Sequence, residues 1–122
     1  HHLDDDVTHA YWDREVAVRL EIESGDVVVV ECAEPIGQVK PTWTDQDFAG
    51  ADPGLAHALS GAIYVKGAHP GDTLEIDILK MEHKGWGWSG HIPQFGLLAD
   101  DFDSAHLHHW ELEGSIAGLR RV

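Results

Sequence analysis

The sequence predicts an all-β fold, a sandwich-like arrangement or a partly open barrel with long loops and little helix. Three observations carry this. Apolar and polar residues alternate with period two over residues 16–23 and 74–79, which sends alternate side chains to opposite faces of a strand. Glycine- and proline-rich turns separate the short apolar runs. No segment carries a sustained 3.6-residue apolar stripe. The 122 residues suffice for one ordinary domain. A chain with 43% apolar and 25% charged residues is globular rather than disordered.

The elements follow in order. His1-His2 reads as a native start or as the remnant of a purification tag, and Asp4-Asp5-Asp6 as a solvated leader. Residues 1–8 are therefore set apart from a domain over 9–122. Val16, Val18, Leu20 and Ile22 alternate with Ala17, Arg19, Glu21 and Glu23, a half-buried strand. Ser24-Gly25-Asp26 is a turn, and Val27 to Val30 is a β-branched run, so the two arms predict a hairpin. Residues 33–58 carry Pro35, Gly37, Pro41, Gly50, Pro53 and Gly54 and predict a long loop, functional or mobile, with one short helical turn within 49–59. Gly61 to Val65 is a further strand. Gly67 to Asp72 is a tight turn, and Leu74, Ile76 and Ile78 alternate with Glu75, Asp77 and Leu79 as the strand paired across it. Gly85-Trp86-Gly87-Trp88 sets two large rings among glycines. Residues 90–98 are irregular, Asp100 to Asp103 is an acidic turn, and Leu107 to Ile116 is a last strand.

Charge and cysteine content exclude several functions. With 22 acidic against 8 basic residues the formal charge is -14. No basic surface is present to neutralise phosphates, so a nucleic-acid partner is not expected. The same acidity disfavours anionic membranes, and no run of about 18 apolar residues is present to span one. A lone Cys32 rules out an intramolecular disulfide framework and a cysteine-built zinc site. With no signal peptide in view, the expected location is cytoplasmic.

Each residue with chemical potential has a plainer alternative. Among ten histidines, His106 and His108 are two apart and would share one face of a strand, a pair of metal ligands or an exposed strand end. His57 stands at a loop-to-strand junction, where the strand fixes a site residue in space; on the residues alone the plainer reading, an ordinary loop histidine, is preferred. Cys32 lies between Glu31 and Glu34, and negative neighbours and burial both oppose a thiolate, which favours a structural role. Asp13 is a catalytic carboxylate or a turn residue. Ser60 lacks the small-residue elbow of a hydrolase nucleophile. Trp86 and Trp88 line an apolar pocket or pack the core.

The order of turns carries a resemblance. Leu59-Ser60-Gly61-Ala62-Ile63-Tyr64-Val65-Lys66-Gly67-Ala68-His69-Pro70-Gly71-Asp72-Thr73-Leu74 resembles the "LTGPVYVEGAEPGDVL" segment of the acetamidase/formamidase family. His57 falls at the histidine of its "HPLTGP" stretch. Ser24-Gly25-Asp26 resembles "SGDTV", Gly37-Gln38 resembles "GGQ", and His9 to Asp13 is similar to "HWGYFD" or "HNRWD". Trp86-Gly87-Trp88, Phe95-Gly96-Leu97-Leu98 and Asp101-Phe102 resemble "DWGW…GFGLLPDDF". Ala58 and Ala62 replace the usual prolines, and His69 the usual glutamate.

The resemblance implies an amino-terminal β domain over 9–122 whose second half, with its "PFxGxxG" and "DAHxxQGDGE" segments, is absent. It implies hydrolysis of short aliphatic amides, formamide or acetamide, to carboxylate and ammonia. Metal assistance is expected, with a divalent ion such as zinc or calcium, because no activated Ser or Cys nucleophile is visible. His57 and Asp13 are then the candidate catalytic residues and His57 a candidate metal ligand; Trp86 and Trp88 would shape the substrate site. The partners implied are a small amide substrate and, through an uncovered edge near Val122, a second copy in a homo-oligomer. The competing reading is a stand-alone, non-catalytic β binding or interaction domain on the same scaffold.

Overall fold

The computed structural model describes residues 1–114. They fall into two compact units: His1–Val39 with Asp52–Leu74, and Lys40–Ala51 with the described residues from Glu75 on. The elements are short strands with a single five-residue helix, so the all-β class with little helix holds. Among the described residues no helix is long and apolar enough to cross a membrane.

The first unit is built from three two-stranded ladders. β1 (His2–Leu3) runs parallel to β4 (Val29–Val30). β2 (Thr8–His9) is antiparallel to β5 (Leu59–Ser60). β3 (Leu20–Ile22) is parallel to β6 (Ile63–Val65), with Leu20 opposite Ile63 and Ile22 opposite Val65. Flanking bonds extend the parallel pairs: Glu31 N–H donates to Leu3 O at 2.8 Å, and Lys66 N–H to Ile22 O at 2.8 Å. Leu3 is 3% exposed and Val39 4%, and these two form the buried core of the unit.

Residues 1–8, expected as a leader, are knitted into this unit. Besides the β1 ladder, the Arg19 guanidinium donates to Asp4 O at 3.1 Å and Val7 O at 2.9 Å, and also to the Asp4 carboxylate. That bond holds the Asp4 carboxyl below its ordinary range.

The expected hairpin is corrected. Its turn forms: Asp26 N–H donates to Glu23 O at 3.1 Å, and Gly25 takes φ 90°, a value glycine reaches without a Cβ penalty. Its arms, however, pair with β6 and β1 and not with each other. Turn chemistry is local and reverses the chain, whereas the ladder partner is decided by distant segments. The turn at Gly67 to Asp72 also forms. Ala68 N–H donates to Val65 O at 3.2 Å, Asp72 N–H to His69 O at 3.0 Å, and His69 N–H to the Asp72 carboxylate at 2.8 Å. The strand expected after it does not form. Residues 74–79 have no ladder partner among the described residues, and Ile76 and Ile78 are 80% and 73% exposed. Alternation creates two faces, but a strand also needs a neighbour to take its N–H and C=O groups.

In the second unit, β7 (Trp86–His91) and β8 (His106–Glu111) pair antiparallel over six positions. The sequence had shown residues 86–91 only as two rings among glycines followed by irregular chain. β8 lies within the strand expected from Leu107, whose end at Ile116 falls outside the described residues, as does Val122. The register places Trp86, Trp88, Gly90, Leu107, His109 and Glu111 on one face, and Ser89, His91, His106, His108 and Trp110 on the other.

Helix α1 (Asp45–Ala49) covers the first face through Phe48, 4% exposed, which meets Trp88 edge-on at 5.3 Å. Thr44 caps the helix in a reciprocal box: Asp47 N–H donates to Thr44 Oγ1 at 3.3 Å and Thr44 N–H to Asp47 Oδ2 at 2.8 Å. The Asp45 carboxylate leaves the helix to accept Leu107 N–H at 2.8 Å. A 3-10 turn, Pro53–Leu55, lies within the window expected to hold one helical turn, while α1 begins before that window.

Asp45 links this packing to pH. The Leu107 N–H, and after it the His106 ring, hold its carboxyl below the ordinary carboxylate value; desolvation opposes them. A lowered carboxyl stabilises the fold fully above its unfolded pKa, and the contribution is lost as pH falls through the folded value. Acid titration followed by near-UV circular dichroism is therefore expected to show the second unit loosening below roughly pH 4. Asp45→Asn should be weaker at neutral pH and should show less of that acid step.

Candidate functional site

The loop from Ala33 to Ala58 is organised by its own polar groups. The Glu34 carboxylate accepts the N–H groups of Ile36, Gln38 and Val39, those of Ile36 and Val39 at 3.1 and 2.8 Å. Gly37 N–H returns to Glu34 O at 2.9 Å. The Gln38 side-chain amide bonds Asp52 at both ends, donating to its carbonyl at 3.0 Å and accepting its N–H at 3.2 Å. Asp52 in turn caps the 3-10 turn through Gly54 N–H at 2.8 Å. Gly37 takes φ 74°, and a Cβ there would stand 3.2 Å from Ala58 Cβ. The positive φ favours glycine, and the tight approach of Ala58 adds to that preference.

This loop and β2 enclose a cavity of about 90 Å³ lined by Thr8, His9, Ala10, Gly37, Leu55 and Ala58. It has room for a molecule of a few heavy atoms. His9 is its titratable wall residue, fixed by pairing with Leu59 across the β2–β5 ladder. Sequence reasoning did not single out His9, although it heads the His9 to Asp13 segment that carried part of the resemblance.

His57 stands beside this cavity without lining it. It is exposed, at φ 64°, a left-handed conformation uncommon outside glycine. Its N–H donates to Pro35 O at 2.6 Å, and Ala58 N–H reaches the same carbonyl at 3.2 Å. Asp13, in the same unit, is exposed and makes a turn: its carboxylate accepts Glu15 N–H at 2.9 Å and its carbonyl accepts Val16 N–H at 3.2 Å. Ser60 Oγ donates to Glu31 O at 2.9 Å, a structural role. Cys32, expected to be buried, is exposed and lies two residues beyond β4.

Trp86 and Trp88 belong to the second unit and stand half-buried on the helix-covered face of β7. Trp88 packs on Phe48, and Trp86 lies 6.4 Å from the His109 ring. His109 Nε2 donates to Trp43 O at 2.9 Å, leaving a buried Nδ1 with no partner. An open groove of about 420 Å³ in the second unit is lined by Gly90, His91, Phe95, Gly96, Leu97, Leu98 and Phe102 and includes neither tryptophan. The four residues singled out in the sequence thus divide between the units, His57 and Asp13 in one and the tryptophans in the other.

A catalytic zinc typically takes three protein ligands. Among the described residues no group of three or more His, Cys, Asp or Glu side chains is placed to hold a metal ion. The resemblance names only His57 of this chain as a metal ligand, so no reaction step is drawn through a metal.

The sequence profile of the acetamidase/formamidase family matches residues 1–122. The acetamidase of Mycolicibacterium smegmatis is 30% identical over 128 aligned residues, covering 93% of this chain and 32% of that protein. The formamidase of Methylophilus methylotrophus is 31% identical over 121 residues, again 93% of this chain and 30% of the relative. The crystal structure of an acetamidase from Bacillus halodurans superimposes with a TM-score of 0.83 at 26% identity, covering 93% of this chain and 38% of that one. The chain therefore spans about a third of the length of the curated relatives it matches. With a family match from residue 1 to 122, the chain belongs to the acetamidase/formamidase family.

Proposed function

We propose that the protein serves in the hydrolysis of short linear amides, formamide and acetamide first among them, to carboxylate and ammonia. The observation that carries this is the family match over the whole chain, with relatives named acetamidase and formamidase. The cavity beside His9 supports it, because its volume suits a substrate of a few heavy atoms. In this reading water adds to the amide carbonyl, the C–N bond breaks, and the leaving nitrogen takes a proton. His9 is the group on the cavity wall able to accept the proton from water and return it to nitrogen. The His57 N–H is committed to Pro35 O and is no donor to a developing oxyanion.

The test is a chimera in which this chain replaces the matching part of the Bacillus halodurans acetamidase. Ammonia release from formamide and acetamide is expected from the chimera and not from the 122-residue chain alone. His9→Ala in the chimera should lower kcat by about 100-fold or more. A folded chimera with no turnover would reject the amidase reading; full activity in the His9→Ala chimera would reject the assignment of His9.

A further inference from the structure

We propose that His91 and His106 form a two-imidazole site for a divalent transition-metal ion of the zinc class, with Asp45 placed behind His106. The site lies wholly in the second unit and does not depend on the amidase reading. His91 and His106 stand directly opposite each other in the β7–β8 ladder, so both side chains leave the same face of the pair. Their ring centroids are 6.1 Å apart. Metal–nitrogen bonds of about 2.0–2.1 Å place two rings on one ion with centroids roughly 5–6 Å apart. A small side-chain rotation therefore brings both nitrogens onto one ion.

The surroundings favour this geometry. Asp45 Oδ1 lies 3.5 Å from His106 Nδ1. A carboxylate there keeps the proton on Nδ1 and leaves the Nε2 lone pair for a metal, the usual arrangement behind a ligating histidine. Asp45 is itself anchored by the Leu107 N–H at 2.8 Å and by its place in the first turn of α1. On the other strand the His91 ring rests against Phe102 at 4.9 Å. The His106 side chain is 57% exposed, so water can complete the coordination shell. His106 and His108, the pair suggested by sequence spacing, share this face as expected, but it is the His91 ring that stands opposite His106. His108 faces Ser89, and its ring stacks edge-on against Trp110 at 4.3 Å. Imidazole suits zinc, copper and nickel, whereas calcium and magnesium require oxygen ligands. Two protein ligands give weaker binding than a closed structural site.

The experiment is isothermal titration of the chain with Zn²⁺ at pH 7.5, with histidine Cε1–H signals followed by NMR. One Zn²⁺ is expected, shifting or broadening the signals of His91 and His106. His91→Ala and His106→Ala should each weaken binding at least tenfold. Asp45→Asn should weaken it by a smaller factor, and His108→Ala should leave it unchanged. Binding should weaken on acidification, because a ligating imidazole must be deprotonated. Affinity kept within twofold in the His91→Ala and His106→Ala variants would overturn the proposal, since the ion would then sit elsewhere, as at His1-His2. Undisturbed His91 and His106 signals in the unsubstituted chain would overturn it whether or not the variants fold.

Discussion

Phe48→Ala is expected to destabilise the second unit by about 3–5 kcal/mol, the range for removing a buried aromatic ring. Phe48 is the one apolar side chain that α1 buries. It fills the space between the helix and the β7–β8 ladder, with Trp88 edge-on at 5.3 Å and no Cβ at Gly90 to push it away. A two-stranded sheet is marginal in water without a covering layer. Losing the ring therefore removes the reason for the pair to stay folded. Urea denaturation followed by tryptophan fluorescence measures the loss; a change below about 1 kcal/mol would show that α1 is not the cover.

Gly90→Ala is expected to cost roughly 3 kcal/mol or more, for the opposite reason. A Cβ at Gly90 would lie 2.5 Å from His106 O and 2.9 Å from Phe48 Cε1. The Phe48 ring has some freedom to turn aside. The His106 carbonyl belongs to the ladder and cannot move without opening the strand pair. Gly87→Ala is the control, since its Cβ would meet only Leu112 Cδ1 at 3.4 Å, the far end of a flexible side chain. Thermal unfolding should therefore separate the two glycines clearly, and equal melting temperatures would contradict the packing described.

The sequence revealed what is decided over four or five residues. The turns at Ser24-Gly25-Asp26 and at Gly67 to Asp72 are local hydrogen-bonding patterns around glycine and aspartate, and both stand where they were expected. The pairing partners were hidden, because nothing near Val27 to Val30 says that His2–Leu3 will lie beside them. Helix α1 was not expected before residue 49, because a five-residue helix among glycines and prolines is too short to show a period. His9 was passed over because its value comes from the cavity wall, which needs Gly37 and Ala58 from distant parts of the chain. His91 was invisible as a partner of His106 for the same reason: only the register joins them.

The order of pairing in the first unit bears on how it is reached from the unfolded chain. β1 joins β4, β2 joins β5 and β3 joins β6, so the three connections overlap and none is nested as a local hairpin. Even the nearest partners are as far apart as Leu3 and Val30. Each closure must first overcome the entropy of a long loop, and its two or three ladder positions repay little of that alone. The second closure is easier once the first has shortened the free chain, which couples all three. Such high contact order makes formation slow and cooperative. The first unit therefore has no small substructure to fold early, and a lesion in any one ladder delays the others.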